Sequence, residues 1–225
     1  MVGASQRAGS HASLGLMYRR LARAFGPQHW WPATSAYEMM VGAILTQATN
    51  WRNVERTIDR LRRAKALSPN GLLATPTVRL EQLVRPVGYF RQKAQYLKRF
   101  SRWYVARYQG RARRMFAAPW ASLRQELLEL HGIGPETADS MLLYAGGQPV
   151  FVVDAYTMRV LRRHRLISWR ASYAQVQRMV MDEWPRAVRR YNEFHALLVA
   201  VGKRYCHRRR PDCAHCPLGD LPRTL

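Results

Sequence analysis

Leu130-His131-Gly132-Ile133-Gly134-Pro135-Glu136-Thr137-Ala138-Asp139 sets two glycines around one apolar residue, between a segment with leucines at 123, 127 and 130 and a segment that opens on proline. Leucines at that spacing share one face of a helix. The helix stops at Gly132-Ile133-Gly134, and Pro135 suits the first turn of a second helix that runs to about Ala145. Glycine permits the positive φ angles of a tight hairpin, Ile133 can plug between the two helices, and N–H groups at the second helix's start can donate to a phosphate. A bare G-x-G also fits a C-cap glycine followed by an N-cap glycine. The stretch acquires its meaning from what surrounds it.

Upstream, Tyr37, Met40, Val41, Ile44, Leu45 and Ala48 form one continuous apolar stripe, and Val54, Ile58 and Leu61 repeat the pattern in the next segment. Pro69-Asn70-Gly71 and Thr75-Pro76 break the following stretch into short pieces, after which residues 92–108 read as a long basic helix. Downstream, Gly146-Gly147-Gln148-Pro149 is a break, Val150 to Val153 is an apolar run, and Asp154 is a candidate N-cap for a helix to about Arg163. Two more helices are expected over residues 172–184 and 187–205. The class is all-α. The last 20 residues, rich in Arg, Pro and Cys, cannot build a core alone and need a cross-link.

The 225 residues carry 37 basic and 14 acidic side chains, a formal charge of +23. Such an excess is costly in self-repulsion unless a polyanion shares it, and nucleic acid is the expected partner. Arginine supplies 33 of the 37, with lysine only at Lys65, Lys93, Lys98 and Lys203, which also admits a contribution from genome composition. An anionic membrane surface is the rival, but the basic residues are scattered rather than gathered on one amphipathic helix or in a tail. No apolar run approaches the ~18 residues of a membrane span, and residues 1–13 hold no apolar stretch of the kind a secretory signal needs. An intracellular protein is expected, cytoplasmic and nucleoid-associated in a prokaryote. Its three cysteines, Cys206, Cys213 and Cys216, form one candidate metal site.

Leu130 to Ala138, Val152-Val153-Asp154, Ile44-Leu45-Thr46-Gln47-Ala48-Thr49 and the cysteine cluster together resemble the endonuclease III branch of the helix-hairpin-helix (HhH-GPD) DNA glycosylases, over about residues 17–218. The resemblance implies an all-α protein of two domains flanking a cleft across which duplex DNA lies. Residues 1–27 would be a tail and a helix joining the cluster domain, 28–147 a six-helix barrel with the hairpin, and 148–225 the rest of a four-helix domain with the cysteine loop. Members flip a damaged or mismatched base out of the duplex and cut its N-glycosidic bond. A monomer is expected.

Asp154 matches the family's catalytic aspartate, and a carboxylate suits a reaction that develops oxocarbenium character on the sugar or needs an activated water. The same residue can serve only as a helix cap. Strand-cleaving members carry a lysine at the position of Glu136, and a carboxylate cannot form a Schiff base. The departure predicts a monofunctional, water-using glycosylase. Glu136 can otherwise be a first-turn carboxylate favourable to the helix dipole. Gln47 matches a residue that fills the gap left by the flipped base, and Tyr89 a wedge that is usually aliphatic in the family; an ordinary loop residue and a core aromatic are the respective alternatives. Gly132, Ile133, Gly134 and Thr137 would anchor phosphate. Trp30, Trp31, Tyr37, Tyr144 and Tyr156 are candidate pocket walls, and aromatic walls suit cationic bases. That favours an alkylated purine, with mismatched, deaminated and oxidised bases as alternatives. Two further readings are a strand-cleaving enzyme that uses another amine and a non-catalytic binder of damaged DNA.

Cys206, Cys213 and Cys216 match the first three ligands of the family's 4Fe-4S loop, whose fourth cysteine is replaced by Pro222. Asp220 is the nearest substitute fourth ligand in sequence, with His207 and His215 behind it. A 3Fe-4S cluster, a Cys3His zinc site or loss of the metal are the other outcomes. The loop would present Lys203, Arg208, Arg209 and Arg210 to phosphate.

Overall fold

The computed structural model describes residues 4–223, with side chains described from Leu14 onward. The helices are α1 (Ala4–Phe25), α2 (Ala36–Leu45), α3 (Trp51–Arg63), α4 (Pro69–Ala74), α5 (Thr77–Val84), α6 (Phe90–Tyr108), α7 (Ala112–Met115), α8 (Trp120–Glu129), α9 (Pro135–Ser140), α10 (Ala155–Arg163), α11 (Tyr173–Glu183) and α12 (Val188–Arg204). The described residues contain no strand, so the all-α expectation holds. None of these helices is long and apolar enough to cross a membrane. The chain divides into two units, one made of Trp31–Gln148 and the other of Met1–Trp30 with Pro149–Leu225.

In the Trp31–Gln148 unit, α2 is apolar nearly all round and every residue from Tyr37 to Leu45 is buried, which makes it the central helix. Ser35 caps its start by accepting the Glu38 N–H. Tyr37 lies within this core, with its hydroxyl 2.6 Å from Ser101 Oγ and its ring stacked against Phe100 and Tyr104. It is therefore a packing residue and not a pocket wall. The basic helix α6 buries Ala94, Leu97, Phe100, Ser101 and Tyr104 along one face and packs on α4 and α5. α8 and α9 flank the hairpin and are tied by Arg124, whose Nε and Nη2 meet the two oxygens of fully buried Asp139 at 2.6 and 3.1 Å. The helix expected to continue from Pro135 to Ala145 changes pitch after Ser140 into a π-turn, Met141–Ala145.

In the other unit, Leu14, Met17 and Leu21 of α1 are buried, and α12 buries Tyr191, Phe194, His195, Leu198 and Val201. α10 packs on α12. Gly202 lies under Tyr156, whose ring would stand 2.5 Å from an added Cβ. The run Val150 to Val153 is buried but irregular, and Gln177 Nε2 donates to the Phe151 carbonyl at 2.6 Å. This side-chain partner substitutes for a sheet neighbour.

Candidate active site and nucleic-acid contacts

The hairpin takes the shape its glycines allow. Gly132 has φ +97°, and a Cβ there would lie 2.3 Å from the ring of Tyr96, so both conformation and space exclude a side chain. Gly134 is exposed, with nothing within 4 Å of the place a Cβ would occupy. Ile133 is buried between them as the plug, and its N–H donates to the Leu130 carbonyl at 2.9 Å. Thr137 is buried, whereas Glu136 is exposed. Gln47 comes to the same place: its Nε2 donates to the Gly132 carbonyl at 2.8 Å and to Thr137 Oγ1 at 3.0 Å.

Lys93, which the sequence reading left without a role, links two loops in this region. It is 2% exposed, and its Nζ donates to the carbonyls of Leu45 and Val87 at 2.9 Å each. Burial lowers its ammonium from the ordinary 10.5 to about 8. It thereby joins the end of α2, just before Gln47, to the turn that carries Tyr89. Tyr89 is 68% exposed and holds a left-handed φ of +46° at the start of α6. It is not the core aromatic that its composition allowed.

Asp154 caps α10, with Oδ1 accepting the Thr157 N–H at 2.7 Å, and is 9% exposed. Oδ2 faces buried His195, whose Nε2 is 3.8 Å away. Burial pushes the His195 imidazole below its ordinary 6.5, while the Asp154 charge draws it partly back. Burial thus favours the neutral form of the imidazole that faces the Asp154 carboxylate.

Of the expected aromatic walls, Trp31 and Tyr144 come together, with ring centres 5.6 Å apart. Trp51, missed in the sequence, completes the group edge-on to Trp31 at 5.1 Å. Trp31 and Trp51 line an open cavity of about 410 Å³ with Pro32, Glu38, Glu55 and Asp59. Thr34 and Arg62 satisfy Glu38, while Trp51 Nε1 donates to Glu55 at 2.8 Å. Three of the protein's 14 acidic residues thus line one opening against a single arginine, Arg62. Tyr156 instead packs under Arg159 and against Gly202.

Cys206, Cys213 and Cys216 line one cavity of about 10 Å³, and burial together with the other two sulfurs pushes the Cys216 thiol up. The residues present do not fit the expected four-iron cluster. Pro222 offers no ligating side chain where the family's fourth ligand stands. Among the described residues no three His, Cys, Asp or Glu side chains are drawn together at metal-ligating positions. Asp220 pairs with Arg20 and does not line the cavity, and His215 is held by Asp212 at 2.8 Å, so neither of these candidates joins the cysteines. His207 is exposed, as are Lys203, Arg208, Arg209 and Arg210.

Residues 41–186 match the model of the HhH-GPD superfamily of base excision DNA repair proteins. A Methanocaldococcus jannaschii protein assigned as a DNA repair glycosylase is 40% identical over 207 residues, covering 91% of this chain and 93% of its own length. An endonuclease III structure in non-covalent complex with DNA has the same fold, with a TM-score of 0.82 at 24% identity over 95% of both chains. The H. pylori 3-methyladenine DNA glycosylase, solved with 1,N6-ethenoadenine, gives a TM-score of 0.74 at 26% identity, covering 86% of this chain and 97% of that one.

Proposed function

Because the chain belongs to the HhH-GPD superfamily of base excision DNA repair proteins, we propose that it is a monofunctional DNA glycosylase that releases a cationic, alkylated purine from duplex DNA. The observation that carries this reading is the grouping of Trp31, Trp51 and Tyr144 beside Glu38, Glu55 and Asp59, in a protein of charge +23. Alkylation at a ring nitrogen gives the base a positive charge. Aromatic faces attract such a ring by cation–π interaction worth about 0.5–2 kcal/mol, and the carboxylates add to the attraction. A normal base, neutral and fully paired, gains neither. The H. pylori glycosylase, similar in fold and named for an alkylated base, is consistent with this class.

A cationic base is also an activated leaving group. As the bond from C1′ to the ring nitrogen breaks, its electron pair goes to the base, which departs neutral, and positive charge develops on the sugar. The Asp154 carboxylate, held by the α10 cap and beside a neutral His195, stabilises that charge. Water adds to C1′ and gives its proton to the carboxylate, leaving an abasic site. Strand cleavage would require an amine at the sugar. Glu136 cannot supply one, and of the four lysines Lys93 is buried on two carbonyls and Lys98 donates to the Leu73 and Thr75 carbonyls, while exposed Lys65 and Lys203 lie outside the motif position that Glu136 occupies.

Within this reading Gly132 and Gly134 offer backbone N–H groups to phosphate, while Ile133, its own N–H donating to the Leu130 carbonyl, plugs the hairpin and Thr137 shapes the turn. Tyr89 stacks into the opened duplex. Gln47 occupies the vacated space only after leaving its bonds to Gly132 and Thr137. Single-turnover reactions on duplexes bearing 7-methylguanine, uracil, thymine glycol or an abasic site, each with and without hot alkali, test the proposal. Breaks in the 7-methylguanine duplex that appear only after alkali are expected. Breaks without alkali, or a preference for thymine glycol, would overturn it.

A further inference from the structure

The loop that carries Gln47 and the turn that carries Tyr89 are remote in sequence, and each contains a strained residue: Ala48 and Tyr89 hold left-handed φ angles of +49° and +46° without being glycine. Such a conformation persists only where neighbouring groups fix it. Lys93, near the start of α6, supplies those groups to both segments. Its backbone N–H donates to the Tyr89 carbonyl at 2.9 Å and its Nζ to the Val87 carbonyl, so the turn is gripped on both sides of Gly88. The same Nζ reaches the Leu45 carbonyl, two residues before Gln47. Leu45 closes α2 and Val87 closes the short 3-10 turn Arg85–Val87. Carbonyls at helix ends have no partner within their own helix and favour a cation. Burial that lowers the Lys93 ammonium to about 8 opposes folding, a penalty that an apolar side chain would avoid. What lysine adds is a pair of directed bonds, one to each loop. Three residues further along α6, the Tyr96 ring packs over Gly132 and stands edge-on to His131, with ring centres 5.5 Å apart. The start of α6 therefore meets the hairpin as well.

We propose that Lys93 is a positioning residue that locks the Gln47 loop and the Tyr89 turn at one fixed spacing, so that both side chains are presented to the duplex already in place. The lock has a use only if Gln47 and Tyr89 open the duplex, and so it rests on the glycosylase reading. Two loops ordered separately on DNA would each lose conformational freedom at the moment of binding. Loops tied to one buried ammonium lose it on folding instead, and the free energy of insertion is kept for the duplex. Gln47 must still leave the Gly132 carbonyl and Thr137 to enter the gap. Because Lys93 holds the backbone at Leu45, that move is confined to the Gln47 side chain and the short loop that carries it.

The test uses the full chain and two duplexes, one undamaged and one carrying a tetrahydrofuran abasic analogue, and reads the ratio of the two affinities. The analogue has no base to release, so the readout is independent of which lesion is excised. Gln47→Ala and Tyr89→Ala should each lower the ratio in the wild-type background, and Lys93→Met should lower it by about tenfold. In the Lys93→Met background either alanine substitution should then change it by less than about twofold, because the truncated side chain is no longer held in place. A role in stability alone would shift the melting temperature and leave the two alanine effects undiminished, and that result would overturn the proposal. If neither alanine substitution lowers the ratio in the wild type, the duplex-opening roles fail and the lock fails with them. A measurement on the unmodified chain covers the case in which Lys93→Met does not fold. Without DNA, the amides of residues 46–49 and 87–90 should exchange with solvent as one cooperative unit, with a common dependence on denaturant. Separate opening of the two segments would overturn the proposal.

Discussion

Trp51 and His195 show how far the proposed chemistry depends on single side chains. Trp51→Ala removes one aromatic face from the opening, and release of a cationic base should slow by about two- to thirtyfold, the kinetic equivalent of one cation–π contact. Trp51→Phe should retain most of the rate, and release of uracil, if any is detected, should be indifferent to either change. His195 gives a pH signature in stability. Its folded pKa lies below the ordinary 6.5 because it is buried, so the unfolded chain takes up a proton first as pH falls. Stability from this source is therefore complete above about pH 6.5 and is lost progressively below it. His164, also lowered mainly by burial, acts in the same direction. Urea unfolding at pH 5.5 and 7.5 should show the wild type weaker at the lower pH, and His195→Gln should narrow the difference.

Among the elements, the hairpin was the most legible in the sequence, because only glycine tolerates what Gly132 must do and the flanking leucine spacing is helical. Gly132→Ala should destabilise the protein by about 1–3 kcal/mol, through the unfavourable φ and the collision with Tyr96. Its melting temperature and its affinity for undamaged duplex should fall together. Helix positions were readable from apolar periodicity, and Asp154 was readable as a cap. Periodicity did not distinguish core from pocket: the stripe on α2 included Tyr37, but α2 is buried on all sides, so the ring packs inward. Trp51, Glu55 and Asp59 stand at i, i+4 and i+8 on one face of α3, a spacing already present in the sequence, but only folding brings Trp31 and α2's Glu38 to the same opening. Lys93 escaped because it sits in no motif and acquires its role from a carbonyl of a distant segment, that of Leu45.

For the whole molecule, charge is the dominant property and the least discriminating. An excess of +23 implies that binding to any duplex weakens steeply with salt, whatever the chemistry that follows. It becomes informative when dissected. If the exposed residues Arg208, Arg209 and Arg210 contact phosphates, replacing all three by alanine should lower the slope of log affinity against log salt by about one per contact, with no change in preference among lesions. A changed lesion preference would show that the loop takes part in recognition as well as in holding the backbone. The acidic opening stands out against this background because carboxylates are rare in the chain.

Mass spectrometry of the free base released from a 7-methylguanine duplex, in single turnover by the wild type and by Asp154→Asn, tests the central claim most directly. Asparagine still caps a helix well, so fold and DNA affinity should be kept while release falls by about 10² or more. The wild type should yield intact 7-methylguanine and an unbroken strand carrying an abasic site. Equal release by the two proteins, or a broken strand with no free base, would contradict the account.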